Sequence, residues 1–240
     1  MPFLPLQLLS DGAYELGVGL SVEQLEQLDA FALLMIEANK THNLTRITEP
    51  ESIVTLHYLD SFTTLSALDF RQKARIIDVG AGAGFPGIPI AVARPDLSVT
   101  LVDSTGKKIA FLHDAIEHLG ISNATAIHAR AEDLGRDKAH RERYDFACAR
   151  ALAQMCVLAE LCLPLVRVGG AVIAQKSADI DSEMDRARPL IGQLGGHVEN
   201  NVSTHIPYTD ITRKLLVMLK AKPCPEAYPR AFAQMVKKKG

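Results

Sequence analysis

The stretch Asp78-Val79-Gly80-Ala81-Gly82-Ala83-Gly84-Phe85-Pro86-Gly87 follows an apolar run, Ala74 to Val79, and runs into a helical one, Gly87 to Ala93. Alternate glycines at a strand-to-helix junction let the backbone turn at positive φ and let a ligand approach the main chain where a Cβ would block it. The bland alternative is a tight turn that serves no ligand.

Outward from this turn, short aliphatic runs alternate with helical stretches. Strands are expected at Ala74 to Val79, Ser98 to Val102, Ala124 to His128, Tyr144 to Ala149 and Gly170 to Gln175. Helices are expected around Gly87 to Ala93, Gly106 to Leu119, Leu152 to Leu165 and Asp179 to Leu194. Parallel neighbours need crossover connections, so the alternation predicts a parallel sheet with helices on both faces. The rhythm then breaks: His197 to Ile206 and Lys214 to Leu219 are strand candidates with no helix between, so one of them should run antiparallel. Before Ala74 the chain reads as helical. Ser21-Val22-Glu23-Gln24 fits a capping box, Leu25, Leu28, Ala32 and Met35 recur at helical spacing, and that helix should end near Asn39. A second helix should start at Thr48-Glu49-Pro50-Glu51, with Ile53, Leu56 and Leu59 as its apolar side. The organisation expected is a helical cap over residues 1–70 and an α/β domain over 71–240, the latter with a seven-stranded, mostly parallel sheet.

Composition narrows the class. The 240 residues are 48% hydrophobic and 22% charged, which excludes a disordered or fibrous chain. The longest apolar region, Phe146 to Ala174, is broken by Arg150, Glu160 and Arg167, so no bilayer span is expected. The first 20 residues carry no Lys or Arg, and with no secretory n-region the expected location is the cytoplasm. Cys148, Cys156, Cys162 and Cys224 form no C-x-x-C pair and read as free thiols. From Arg213 to Gly240 eight basic residues face one acid, Glu226, whereas Met1 to Lys73 holds ten acids and four bases. A basic terminus on an acidic chain suits a polyanion contact or a solvated tail, while the cap is a poor polyanion surface.

Two cofactor patterns overlap in the glycine turn. Gly82 to Gly87 satisfies the dinucleotide pattern G-x-G-x-x-G, and Asp78 to Gly84 satisfies D-x-G-x-G-x-G, which resembles S-adenosylmethionine-dependent methyltransferases. Asp78, two positions before the first glycine, favours the second. So do Pro86 and Pro89, which lack the N–H that a pyrophosphate needs. Asp103 closes the second strand, where a carboxylate can accept from the ribose hydroxyls of either cofactor.

A more specific resemblance rests on DVGAGAGFPGIPI (78–90), Asp103-Ser104 with Lys107-Lys108 and Phe111-Leu112, Ala129-Arg130-Ala131-Glu132, and Ala149-Arg150-Ala151. Asn39-Lys40, Asn43-Leu44-Thr45, His57 with Asp60-Ser61, and Tyr228-Pro229-Arg230 extend it over nearly the whole chain. The sequence resembles the RsmG (GidB) family, bacterial enzymes that methylate guanine N7 in 16S ribosomal RNA. The resemblance implies a class I, Rossmann-like methyltransferase with S-adenosyl-L-methionine as cofactor. Its RNA partner would be 16S ribosomal RNA or the small ribosomal subunit, and the chain a monomer with no metal. It further implies that Gly80, Gly82 and Phe85 contact the donor at the first turn, Asp103 its ribose, and Ala131 and Glu132 its adenine. Arg150 would stand beside the methionine moiety and the target base, as the residue nearest the reaction. Ala38, Ala149 and the ending AFAQMVKKKG depart from the family pattern.

The residues also speak against other chemistries. After the fourth strand there is no D/N-P-P-Y/F turn for adenine amine methylation, and Pro223-Cys224, the one context for a pyrimidine nucleophile, lies outside the expected sheet. His57, Asp60, Ser61 and Thr64 fall on one helix face, either as a base-recognition surface or as a hydrogen-bonded contact between cap and sheet. Lys107, Lys108 and Lys176 are phosphate contacts or solvated ends.

Overall fold

The computed structural model describes residues 1–150, 152–177 and 180–236. Its N-terminal part holds α1 (Leu6–Glu15), α2 (Val22–His42), α3 (Pro50–Ile53), a π-helical stretch Val54–Leu59, α4 (Asp60–Phe62) and a 3-10 turn Thr63–Ser66. Seven strands follow: β1 (Arg75–Val79), β2 (Ser98–Asp103), β3 (Ala124–His128), β4 (Tyr144–Arg150), β5 (Val166–Lys176), β6 (Gly196–His205) and β7 (Thr212–Lys220). The crossovers are α5 (Gly87–Ala93), α6 (Gly106–His118), α7 (Ala131–Leu134), α8 (Met155–Cys162) and α9 (Asp181–Gln193), and α10 (Phe232–Met235) comes last.

The strand order is β3-β2-β1-β4-β5-β7-β6, with β7 antiparallel to both neighbours and the other pairs parallel. After β1 the chain builds outward to β3, then returns to place β4 on the other side of β1. In open α/β sheets that reversal opens a crevice at the carboxyl ends of the two central strands. Alternation along the strands serves both faces. Ile76, Leu101, Cys148 and Val217 pack with Phe31, Met35, Tyr58, Ile88 and Leu112, so the helical cap shares one apolar core with that face. Ile77, Ala147, Val172 and Met218 pack with Leu158, Cys162, Met184 and Ile191 on the other.

The capping box at α2 is present: Ser21 Oγ accepts from the Gln24 amide at 3.3 Å and Gln24 Oε1 from the Ser21 amide at 2.8 Å. Gln24 Nε2 also donates to the Val92 carbonyl at 2.7 Å, which ties α2 to the end of α5. The helix runs three residues past the expected stop at Asn39 and ends where Asn43 takes the left-handed conformation, φ 49°.

Three expectations are corrected. Helix α1 was not anticipated, because it has no side-chain cap and no acid in its first turn. A distant group holds its entry: the Asp29 carboxylate accepts from the Phe3 and Leu4 amides at 3.2 and 2.6 Å. The second cap helix starts at Pro50 as expected but without a side-chain cap, and it widens into π geometry at Val54. The helix expected from Leu152 starts at Met155, because Leu152 is turned into the crevice. The expected start of α9 at Asp179 lies outside the described residues.

Candidate functional site

The β1–α5 turn is built around backbone donors. Gly80 and Ala81 both donate to the Val102 carbonyl at the end of β2, at 2.8 and 2.9 Å. Gly80 has φ +77°, a conformation that favours glycine, and a Cβ there would lie 2.4 Å from Leu152 Cδ1, so that side-chain end would have to shift. The Gly82 amide donates to Asp103 Oδ2 at 3.0 Å and the Thr105 amide to Oδ1 at 2.8 Å. Each carboxylate oxygen keeps a lone pair free for a further donor.

Asp78 is fully buried beneath this turn. Its Oδ2 accepts from the Gly87 amide at 2.8 Å, while Oδ1 has no hydrogen-bond partner among the described residues. Burial raises its pKa from 3.8 to about 7; the Gly87 amide and then Arg150 work in the opposite direction. A carboxyl whose folded pKa is raised binds more protons than the unfolded chain between these values. Its contribution to stability therefore falls as pH rises from about 4 to about 7. Asp78→Asn removes that contribution, so the loss of Tm between pH 5 and pH 8 is expected to shrink relative to the unsubstituted protein, as thermal unfolding at the two pH values would show.

A cavity of about 370 Å³ opens where the turn faces the ends of β2, β3 and β4. Its lining includes Gly80, Asp103, Lys108, Ala131, Glu132 and Arg150. Five of the residues singled out in the sequence, Gly80, Asp103, Ala131, Glu132 and Arg150, are thus brought together. Gly82 and Phe85 stand outside the lining. The amide of Gly82 is committed to Asp103, and Phe85 is buried in an aromatic cluster behind the turn. Its ring stacks on His57, with centroids 4.2 Å apart and planes at 8°, and the Arg150 guanidinium lies over it at 5.3 Å.

Arg150 also lines a second cavity, of about 530 Å³, with Leu56, His57, Asp60, Gln175 and Arg213. Its guanidinium is held from the π-helical stretch and its C-terminal end. Nη1 donates to the Leu56 carbonyl and to Asp60 Oδ2, both at 3.0 Å, and Nη2 lies 3.3 Å from His57 Nδ1. Asp60, buried to 1% exposure, accepts as well from Arg213 Nε at 2.8 Å and Gln175 Nε2 at 2.6 Å.

Behind Arg150 the network continues. An imidazole that accepts at Nδ1 carries its proton on Nε2, and His57 Nε2 is 2.8 Å from Thr45 Oγ1. The Thr45 backbone closes a two-way pair with the Asn39 amide, both bonds 2.9 Å. Burial first, and the Arg150 charge second, lower the His57 pKa to about 3, so the ring is neutral near pH 7. The scattered Asn39, Thr45, His57 and Asp60 are thereby one structure whose output is the orientation of Arg150.

Other residues fall differently from expectation. Ser61 and Thr64 face the core; Ser61 Oγ donates to the His57 carbonyl one turn back and Thr64 Oγ1 has no partner among the described residues, so neither bonds the sheet, whereas Asp60 does, through Gln175 Nε2. Lys176 donates to the Ala153 carbonyl at 2.6 Å and to Glu183 at 2.9 Å, which ties down two of its three donors at the rim of the second cavity. Lys108 sits in the first cavity, 3.7 Å from Asp103. Arg213, Gln175 and Phe232 were missed as cavity residues. The available signal for Arg213 was a cation at the start of the last strand, beside the end of β5.

The sequence model described as rRNA small subunit methyltransferase G (GidB) matches residues 24–212. A protein called ribosomal RNA small subunit methyltransferase G from Desulforamulus reducens is 43% identical over 230 residues, 96% of each chain. One of the same name from Pelotomaculum thermopropionicum is 44% identical, covering 92% of this chain and 93% of its own. Among solved structures, precorrin-6y C5,15-methyltransferase from Geobacter metallireducens aligns with TM-score 0.51 at 16% identity, covering 75% of this chain and 93% of that one. A 16S rRNA (adenine(1408)-N(1))-methyltransferase from Catenulisporales acidiphilia, solved with SAM, aligns at 0.51 and 15%, over 64% and 88%. These structures share the class I methyltransferase fold, and by sequence the chain belongs to the rRNA small subunit methyltransferase G family.

Proposed function

We propose that this protein transfers a methyl group from S-adenosyl-L-methionine to N7 of a guanosine in 16S ribosomal RNA, with Arg150 as the residue between donor and acceptor. The observation that carries this reading is that Arg150 is common to both cavities. The smaller one has the features of a nucleoside site: two carboxylates at strand and helix ends, a glycine turn, and a volume within the roughly 300–1,000 Å³ range of small-molecule sites. In the larger one, two guanidiniums share the single Asp60 carboxylate and leave one positive charge uncompensated. Those donors match the O6 acceptor on guanine's major-groove edge, which leaves the N7 lone pair free for the methyl group.

When bound, the sulfonium supplies an electrophilic methyl group. Guanine N7 carries an in-plane lone pair and no proton at neutral pH, so the chain need supply no general base. Its own contribution is placement. Asp103 is positioned to accept from ribose hydroxyls and Glu132 from the adenine, while Gly80 allows close approach of the backbone. Arg150 orients the acceptor base, and the helical cap (residues 1–70) fixes Arg150 against the methyltransferase part (71–240). We take the enzyme to be a cytoplasmic monomer that uses no metal.

The test is incubation of small subunits from cells lacking this protein with methyl-labelled donor, then nucleoside mass spectrometry. Label in 7-methylguanosine is the expected result. Label in another nucleoside, or RNA binding without label, defeats the reading. Asp103→Ala is expected to raise the donor Kd in a calorimetric titration, and an unchanged Kd would remove Asp103 from the ribose role.

A further inference from the structure

The C-terminal segment contributes a wall to the first cavity that the glycine turn does not explain. Phe232 lines it, beside Ala131 and Glu132 of α7 and Leu161 of α8. It is a large apolar residue left 39% exposed, on a four-residue helix with no buried residue of its own. Packing within α10 therefore does not account for its position.

Its position is set by a tether just upstream. The Arg230 backbone amide and Nε both donate to Glu160 Oε1 at 2.8 Å, and Nη2 to Oε2 at 2.5 Å. Glu160 lies on α8, the same helix as Leu161. From the other side, Arg136 Nε donates to the Pro229 carbonyl at 2.9 Å and Arg141 Nη1 to the Tyr228 carbonyl at 2.7 Å. A Cβ on Gly135, the residue that ends α7, would lie 2.9 Å from Pro229 Cγ. The tail is thus gripped by α8 and by the segment that follows α7, two residues before Phe232.

We propose that Phe232 is a donor-binding residue, an aromatic wall against which the adenine of the methyl donor rests, and that Tyr228-Pro229-Arg230 is the anchor that holds it there. The inference rests on the reading of this cavity as the donor site. Polar groups elsewhere in that end of the cavity address the edges and sugar of a nucleoside, and a planar base also needs an apolar contact for its face. Beside Ala129 and Ala131, Phe232 and Leu161 are the larger apolar side chains at that end. Loss of one aromatic contact to a base weakens binding by about tenfold.

Calorimetric titration of the full chain with S-adenosylmethionine and with 5′-methylthioadenosine, which keeps the adenosine but lacks the amino acid, tests this. Phe232→Ala is expected to raise both Kd values by about tenfold, with Tm unchanged, and Phe232→Tyr to restore both. If Phe232→Ala leaves both unchanged, or weakens only the compound bearing the amino acid, while Asp103→Ala weakens both, the aromatic wall is refuted and the donor cavity stands. If Asp103→Ala also changes neither, the cavity assignment itself falls and takes this inference with it.

Discussion

Arg150→Ala is expected to lower kcat for methyl transfer by about 10²–10³-fold, the usual loss when one preorganised donor is removed from a reacting centre, while the donor Kd moves little. The guanidinium is held by the Leu56 carbonyl, Asp60 and His57, and rests on the Phe85 ring. Four partners on three elements leave it no free rotamer, so its remaining donor capacity is aimed before any substrate arrives. That is the condition under which a positioned group contributes to the transition state without reorganising. Arg150→Lys keeps the charge but loses the planar fork, which cannot be replaced by an ammonium at the same three acceptors. It should fall between the two. Single-turnover kinetics alongside calorimetry separate the roles: a fall in donor affinity as large as the fall in kcat would make Arg150 a structural residue.

Much of this arrangement was legible in the sequence, for a physical reason. The sheet follows from local signals that its residues carry themselves: aliphatic runs of strand length, glycines where φ must be positive, helical spacing between them. All seven strands lie where those runs are, and the missing helix before Lys214 marked one of the last two as antiparallel, which the fold resolves as β7. The glycine turn and Asp103 were legible because the backbone donors of one address the carboxylate of the other at a fixed point of the fold. Asn39, Thr45, His57 and Asp60 could be picked out as unusual polar residues, but not their purpose. Asn39 and Thr45 pair locally, but His57 and Asp60 meet Arg150 only where the fold brings the end of the π-helical stretch against the end of β4.

What stayed hidden depended on long-range juxtaposition. Arg213 reads as one cation in a basic tail, yet 153 residues separate it from Asp60, the group that fixes it. Phe85 looks like part of a ligand turn because it adjoins the glycines. In the fold its neighbours are Phe31, His57 and Tyr58, so it supports Arg150 from behind instead of facing the cavity. Helix α1 has no start signal of its own because Asp29 supplies its anchor from α2. In each case the deciding interaction is between residues whose separation along the chain gives no periodicity to read.

The largest stability effect is expected from Arg230→Ala. Glu160 is at 0% exposure on α8, and among the described residues the three donors that reach its carboxylate all come from residue 230. Removing the side chain leaves one backbone amide to satisfy a buried anion. Breaking a buried pair in this way costs about 3–5 kcal/mol. Because the Arg230 side chain is 36% exposed, water can reach part of the vacated space and the lower figure applies. About 3 kcal/mol is a large share of the roughly 5–15 kcal/mol that holds a domain together. For a chain of this length it lowers Tm by about 6–12 °C. Replacing both partners with apolar residues, Glu160→Leu with Arg230→Met, should recover most of that loss, since no charge is then stranded. The half-exposed Phe232→Ala should leave Tm where it was. Thermal unfolding of the three variants reads the difference. An Arg230→Ala protein that melts with the parent would mean that Glu160 is neutral or hydrated in the fold, and that the tail is held to α8 by the backbone alone.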